Sequence, residues 1–254
     1  MSVTIEIAVS CTWYQKRLCW MMSSILQQKG NIPNIIFNVA YPQHNGNPTT
    51  EDVCKLFISN GLNVKETVYK NEIEMQKRGL VRNNQLKESS AKWILFSDSD
   101  MVYDPFFFED LQNQLESTDL KNETRCISAR RISLSKEYSK DYFNKIDQNI
   151  YPCIIENVAE FVSKWPIFKI SNSCGAGYFQ LANVWNIKKN HNGLYVNPND
   201  CADVPEFEKF HKTKSDKQFR RMLGGTVTIK TKSQYHLNHE RDNEEGCKHL
   251  TFQR

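Results

Sequence analysis

Two carboxylates one residue apart, Asp98-Ser99-Asp100, follow directly on the apolar run Trp93-Ile94-Leu95-Phe96 and lead into Met101-Val102-Tyr103-Asp104-Pro105. Such a run reads as a short buried strand, so the two acids emerge at its carboxyl end, where open parallel sheets hold their ligands. A carboxylate there can take a hard cation at roughly 2.0–2.1 Å and leave the remaining positions to phosphate oxygens. Asp100 suits that task, and Asp98 can reach hydroxyls or a metal-bound water. The competing reading is a loop of solvated acids that caps a helix starting near Pro105.

The surrounding segments are those of an α/β protein. Ile5 to Ser10 predicts a strand, and Leu18, Met22, Ile25 and Leu26 mark a helix that Gly30 and Pro33 end. Asn34 to Tyr41 predicts a second strand, and Thr49-Thr50-Glu51-Asp52 opens a helix carrying Val53, Leu56, Phe57 and Ile58. A third strand follows over Asn63 to Tyr69, a polar helical region interrupted near Gly79 over Glu72 to Ala91, and a fourth strand over Lys92 to Ser97. Short buried strands alternating with helices predict parallel βαβ units.

Beyond about residue 125 the pattern changes. Cys126 to Leu134 predicts a strand, Tyr138 to Ile150 is polar and aromatic, and Ile154 to Trp165 is of mixed type. Gly175-Ala176-Gly177-Tyr178-Phe179 reads as a turn entering a strand. Asp216 to Leu223 predicts a short helix stopped by Gly224-Gly225, with a strand from Thr226 to Thr231. No repeat or linker divides the chain, so residues 1–125 and 126–254 are expected to be two halves of one packed unit.

Composition removes several function classes. Lys+Arg 33 against Asp+Glu 29 leaves a net charge of +4, too small to drive nucleic-acid binding unless clustered. Hydrophobic content of 39% in 254 residues excludes a disordered or collagen-like chain. No apolar run approaches the roughly 18–20 residues that span a bilayer, so no transmembrane segment is expected. The start, Met1-Ser2-Val3-Thr4-Ile5-Glu6-Ile7, lacks the pattern of a signal peptide. Eight scattered cysteines with no C-x-x-C pair predict reduced thiols and a cytoplasmic protein.

Two phosphate chemistries use acids at a strand end. Asp98-Ser99-Asp100-Met101-Val102 matches the Asp-x-Asp-x-Thr/Val pattern of haloacid-dehalogenase-like phosphatases, whose first acid is a nucleophile and second a general acid. That chemistry needs the motif on the first strand and a later Gly-Asp-x-x-x-Asp, and the sequence has neither. A non-catalytic nucleotide or nucleic-acid binding module is the other alternative. The segment from Arg82-Asn83-Asn84-Gln85 through Ala91 to Asp98-Ser99-Asp100 instead resembles "A-R-N-x-G-x-x-x-A-x-G-x-x-I-x-F-x-D-x-D" of the inverting, family 2-like GT-A glycosyltransferases. Gln85 stands where that family has Gly, and Asn38-Val39-Ala40-Tyr41 replaces its acidic second-strand end.

The resemblance implies an α/β, Rossmann-like GT-A single domain with a central mixed, mostly parallel sheet flanked by helices. Residues 1–125 would bind the nucleotide-sugar, and 126–254 the acceptor and catalytic base. It implies that Arg82 and Asn83 lie beside the donor nucleotide, with Asp98 and Ser99, and that Asp100 holds metal and diphosphate. Ile7-Ala8-Val9-Ser10-Cys11-Thr12-Trp13-Tyr14 resembles the family's first strand and nucleobase turn. There Trp13 can stack on a base while Ser10 and Thr12 bond its edge, although Trp13 and Tyr14 can equally just cover the sheet end.

Further along, Asn172-Ser173-Cys174-Gly175-Ala176-Gly177 resembles the small-residue segment lining the acceptor side, where Gly175 and Gly177 let backbone approach a sugar. Ser215-Asp216-Lys217-Gln218-Phe219-Arg220-Arg221 resembles the "Glu/Asp-Asp-x-x-Phe-x-x-Arg" helix and implies Asp216 as general base, with Ser215 in place of the usual preceding acid. The plain alternative is a helix N-cap aspartate, and Asp203, Glu206 and Glu208 are further candidates. The late Gln234-Tyr235-His236-Leu237-Asn238-His239 resembles the segment that gives several of these enzymes a metal-binding histidine, His236 before His239. Imidazole with carboxylate suits Mn²⁺, with Mg²⁺ the other candidate.

The implied reaction moves a sugar, with inversion, from a nucleoside-diphosphate donor, a UDP-sugar being favoured, to an acceptor hydroxyl. The acceptor is expected to be a glycan or a hydroxymethylated DNA base. Arg130-Arg131, Lys188-Lys189, Lys209 to Lys217 and Arg220-Arg221 would then track phosphates, and Tyr138, Tyr142 and Phe143 would receive a displaced base.

Overall fold

The computed structural model describes residues 3–43, 48–117, 119–135, 152–164, 167–171, 178–195 and 216–237. Its first half alternates as the sequence predicts: β1 (Thr4–Ser10), α1 (Gln15–Leu26), β2 (Asn34–Pro42), α2 (Thr50–Ser59), β3 (Val64–Tyr69), α3 (Glu72–Gln76), α4 (Arg78–Glu88) and β4 (Trp93–Ser97). Next come β5 (Met101–Tyr103), α5 (Phe107–Glu116), β6 (Cys126–Leu134), α6 (Val158–Lys164), β7 (Ile167–Ser171), β8 (Phe179–Asn183) and α7 (Val184–Asn190). Helix α8, described over residues 216–222, and β9 (Thr226–His236) complete the fold.

One nine-stranded sheet joins both halves in the order β3-β2-β1-β4-β8-β6-β9-β5, with β7 paired to β6. β1 runs parallel to β2 and β4, and β2 to β3, as βαβ crossovers require. Past β4 the sheet turns mixed: β8 is antiparallel to β4 and β6, and β5 to β9, while β6 and β9 are parallel. All five residues of β4 are buried. Trp93 and Leu95 join the larger core with α1, α2 and α5, and Ile94 and Phe96 join a second core with Tyr195, Phe219 and Leu223. Each such side chain contributes about 1.5–3 kcal/mol by leaving water, which fixes β4 and the acids at its end.

Local chemistry sets the helix ends. Thr49 and Asp52 form a reciprocal capping box at α2: the Asp52 N–H donates to Thr49 Oγ1 at 3.2 Å, and the Thr49 N–H donates to the Asp52 carboxylate at 2.8 Å. The polar helical region breaks near Gly79 as the sequence suggests, at Lys77, which leaves the helical backbone region with ψ 60. Gly79 lies inside α4, buried. Gly224 and Gly225 take φ +78 and +112 in the turn between α8 and β9, a conformation that side chains resist.

Two differences from the expected pattern concern strands. β9 continues past Thr231 to His236, so the histidine motif begins inside a strand and not after one. Met101–Tyr103 forms a strand of its own, because β9 offers it a pairing partner that no local pattern reveals. No helix among the described residues is long and apolar enough to cross a membrane.

Candidate active site

The acids of the Asp-x-Asp motif leave β4 in different directions. Asp98 accepts a hydrogen bond from Arg78 Nη1 at 3.3 Å, in a pair whose side chains are 39% and 20% exposed. Asp100 is buried and turns toward β9, where its Oδ2 lies 3.1 Å from His236 Nε2. Backbone pairing makes that contact: Met101 is opposite His236, and the Leu237 N–H donates to the Asp100 carbonyl at 2.9 Å. Ser99 between them is buried.

A second cluster joins α4 to the start of α8, and Asp98 acts electrostatically on its Arg82. Arg82 of α4 donates from Nη1 to Asp216 Oδ1 at 2.8 Å, to the Tyr195 hydroxyl at 2.5 Å and to Gln180 Oε1 at 3.4 Å. The Tyr195 hydroxyl is in turn 2.6 Å from Asp216 Oδ1 and 2.5 Å from Gln180 Oε1. The Arg82 and Asp216 side chains are only 4% and 8% exposed, so this ion pair is buried. Aromatic rings wall it in: the guanidinium lies 5.4 Å from the Phe96 ring and 5.0 Å from that of Tyr195, which stacks on Phe219 at 4.2 Å.

Electrostatics follows from that enclosure. Burial works against the Arg82 charge, yet Tyr195, Asp216 and Asp98 outweigh it and hold its pKa above the ordinary value. The Tyr195 hydroxyl is pushed well above the usual phenol range, chiefly by burial and also by Asp216, while Arg82 pulls the other way. It therefore stays protonated beside the pair. Among the described residues Asp216 Oδ2 receives no hydrogen bond, because all the contacts gather on Oδ1.

The residues expected to meet the nucleotide lie where β1, β2 and α4 come together. Ser10 and Thr12 are partly exposed at the end of β1, and the Cys11 N–H donates to the Ala40 carbonyl at 2.8 Å. Trp13 has φ 65, a left-handed backbone that costs a bulky residue about 1–3 kcal/mol, and its indole N–H is buried with no hydrogen-bond partner among the described residues. Asn83 turns its side-chain oxygen inward, where it accepts from the Tyr195 N–H at 2.5 Å. Gln85, in place of the family's glycine, is fully buried and donates from Nε2 to the Val9 and Asn38 carbonyls at 3.1 and 3.2 Å. It pins α4 to the end of β1 and the middle of β2.

The structure thus brings together Arg82, Asn83 and Asp216, and separately Asp100 and His236. Gly175, Gly177 and His239 lie outside the described residues, as do Asp203, Glu206, Glu208, Tyr138, Tyr142 and Phe143. Sequence reasoning assigned no role to Tyr195, Gln180 or Arg78. The four-residue spacing of Arg78 and Arg82 on one helix face was a usable signal. Tyr195 and Gln180 gave none, since tertiary packing alone carries them to Arg82.

Asp100 and His236 suit a divalent cation. Two ligands at adjacent corners of an octahedron with bonds of roughly 2.1 Å stand about 3 Å apart, and the observed separation is 3.1 Å. One carboxylate oxygen with one imidazole nitrogen is a mixed donor set of the kind Mn²⁺ accepts. Among the described residues no group of three His, Cys, Asp or Glu side chains surrounds it, so other positions would fall to phosphate oxygens and water.

No protein-family model matches the chain, and no curated protein matches it by sequence. Solved structures do match it. Residues 1–349 of TarS from S. aureus superpose with a TM-score of 0.57 at 13% identity, over 95% of this chain and 62% of that one. The same protein in complex with UDP-GlcNAc gives 0.56 at 13% identity, over 96% and 60%. The mannosyltransferase PcManGT from Pyrobaculum calidifontis, in complex with GDP-Man and Mn²⁺, gives 0.51 at 11% identity, over 92% and 56%. The chain therefore spans about three-fifths of the length of the chains it matches. At such identities the likeness speaks for architecture: the α/β domain with its mixed sheet has the fold of GT-A glycosyltransferases.

Proposed function

We propose that the chain is a metal-dependent, inverting glycosyltransferase that moves a sugar from a nucleoside-diphosphate donor, a UDP-sugar by preference, to an acceptor hydroxyl. The observation that carries this reading is the pairing of Asp100 with His236 beyond the end of β4, together with the buried Arg82–Asp216–Tyr195 cluster, whose Arg82 feels the charge of Asp98. Neighbours of the same fold, solved with UDP, UDP-GlcNAc or GDP-Man with Mn²⁺, support the donor class and the metal.

Asp100 and His236 would hold Mn²⁺ or Mg²⁺, which when bound neutralises the charge that grows on the leaving diphosphate. Ser10, Thr12 and Trp13 face the nucleobase, and Asp98 and Ser99 the ribose and diphosphate. Asp216 is the general base. Arg82 and Tyr195 fix Oδ1, which leaves Oδ2 to take the proton of the acceptor hydroxyl as that oxygen attacks the anomeric carbon. Arg82 is then a positioning residue. The acceptor hydroxyl belongs to a glycan or a hydroxymethylated DNA base.

Thermal stability of the protein against UDP-, GDP-, dTDP- and CMP-sugars, each with and without Mn²⁺, tests the reading. A ligand at about 100 times its dissociation constant adds roughly 2.7 kcal/mol. A shift that needs both the metal and one nucleotide is expected, and no shift with any donor would sink the assignment. Binding to duplex DNA that weakens steeply with salt distinguishes the DNA acceptor from the glycan.

A further inference from the structure

Arg131 of β6 holds its guanidinium 4.0 Å above the ring of Tyr178, a fully buried side chain just before β8. Tyr178 is itself fixed, because its carbonyl accepts a hydrogen bond from Ser97 Oγ at 2.9 Å, one residue before Asp98. In the β6–β9 ladder Arg131 pairs with Gln234, and Ser133 with His236. Alternation along each strand puts Arg131, Ser133, Gln234 and His236 on one face. The opposite face carries Ile132, Leu134 and Tyr235, packed with Val102 and Trp20. Arg131 therefore shares its face with the histidine that meets Asp100.

Among the described residues Arg131 Nε is buried without a hydrogen-bond partner, and no carboxylate pairs with the guanidinium. Beside it, Gln234 is fully buried, with Nε2 donating to the Ala129 carbonyl at 3.2 Å and Oε1 without a partner among the described residues. A cation whose buried donor lacks an acceptor carries a desolvation cost that an incoming anion would remove. Stacking on Tyr178 keeps the planar fork oriented, which favours recognition of phosphate oxygens over a diffuse charge.

We propose that Arg131 binds a phosphate group lying against the Asp100–His236 pair. This rests on the glycosyl-transfer reading and adds to it a second, protein-borne cation. Two sources offer that chemistry: the diphosphate of the donor and a phosphate on the acceptor.

The test compares the full chain with Arg131→Gln and Arg131→Lys by calorimetry in Mn²⁺, using UDP, GDP, uridine, guanosine and inorganic phosphate. If the donor diphosphate is the ligand, Arg131→Gln weakens the nucleoside diphosphate about 10- to 100-fold and leaves the nucleoside unchanged, and Lys restores part of the loss. If an acceptor phosphate is the ligand, nucleoside-diphosphate affinity is unchanged, and inorganic phosphate binds the metal–nucleotide complex of the wild type only. Equal affinities of all three proteins for every probe would overturn the proposal. A wild type that binds no nucleoside diphosphate and no phosphate would overturn the glycosyl-transfer reading first.

Discussion

Arg82 and Asp216 are 134 positions apart in the chain and 2.8 Å apart in space, with almost no exposure to solvent. The contact ties the helix that precedes the Asp-x-Asp strand to the helix that carries the proposed base. Removing one partner leaves an uncompensated buried charge, so Asp216→Ala should cost about 3–5 kcal/mol of stability. Asp216→Asn keeps the volume and an oxygen that accepts from Arg82; it also leaves the Arg82 charge uncompensated, so its folding is checked by chemical unfolding before its kinetics are read. Its expected result is a protein that still binds donor and metal but turns over about 10²- to 10⁴-fold more slowly. Turnover near the wild-type level in the folded Asn variant would move the base elsewhere.

Tyr195 bridges the same pair. Its hydroxyl contacts Arg82, Asp216 and Gln180, and its main-chain N–H donates to Asn83. Tyr195→Phe keeps the ring that stacks on Phe219 and deletes only the hydroxyl. The loss should be about 1–3 kcal/mol, since Gln180 and Asp216 keep less of their hydrogen bonding in a buried site. Turnover should fall while donor affinity is preserved, because the hydroxyl orients the base and not the nucleotide. Chemical unfolding paired with steady-state kinetics reads both effects, and a variant altered only in donor affinity contradicts the assignment.

What the sequence reveals here depends on range. β1 to β4 and their helices were legible because hydrophobic alternation, the Thr49–Asp52 cap and the Gly and Pro stops are local signals. The Asp-x-Asp position at the end of β4 followed from them. β5 was not legible, since three residues carry no periodicity and form a strand only because β9 passes beside them. The inward turn of Asn83 and the bridging of Arg82 by Tyr195 were hidden for the same reason: they depend on contacts 112 and 113 positions away in the chain. Gln85 was visible as a departure from the family pattern, but its clamp on Val9 and Asn38 needed the sheet order to be known.

Metal binding gives a prediction independent of turnover. Asp100 and His236 are proposed as the protein ligands, and neither alone would retain the ion well. Asp100→Asn and His236→Ala should each abolish the added thermal stability that Mn²⁺ and donor confer together, which at 100-fold saturation is roughly 2.7 kcal/mol. His236 is only 18% exposed and touches the buried Asp100, so His236→Ala should also lower the melting temperature without ligand, and the added stability is read against each variant's own ligand-free value. Full Mn²⁺-dependent stabilisation in both variants would place the ion elsewhere.

Thiol burial sets how the fold responds to alkali. Cys11, at the end of β1, is pushed up to about 11 from 9.0, chiefly by burial, with the Thr50 hydroxyl, the Tyr14 backbone and Arg17 offsetting part of it. Cys54 on α2 is shifted in the same direction by burial and by Glu66. In the unfolded chain Cys11 releases its proton near its ordinary value, whereas in the folded protein it keeps that proton until about pH 11. Across that window the unfolded state binds fewer protons, so stability is complete below pH 9.0 and falls as the pH rises. A shift of about two units corresponds to roughly 3 kcal/mol at the top of the window. Urea unfolding from pH 8 to 11 should therefore show a steeper loss for the wild type than for Cys11→Ala, with the tyrosines and lysines common to both cancelling in the comparison. Parallel curves for the two proteins would show that Cys11 ionises in the folded state as readily as in water, and that the end of β1 is open to solvent.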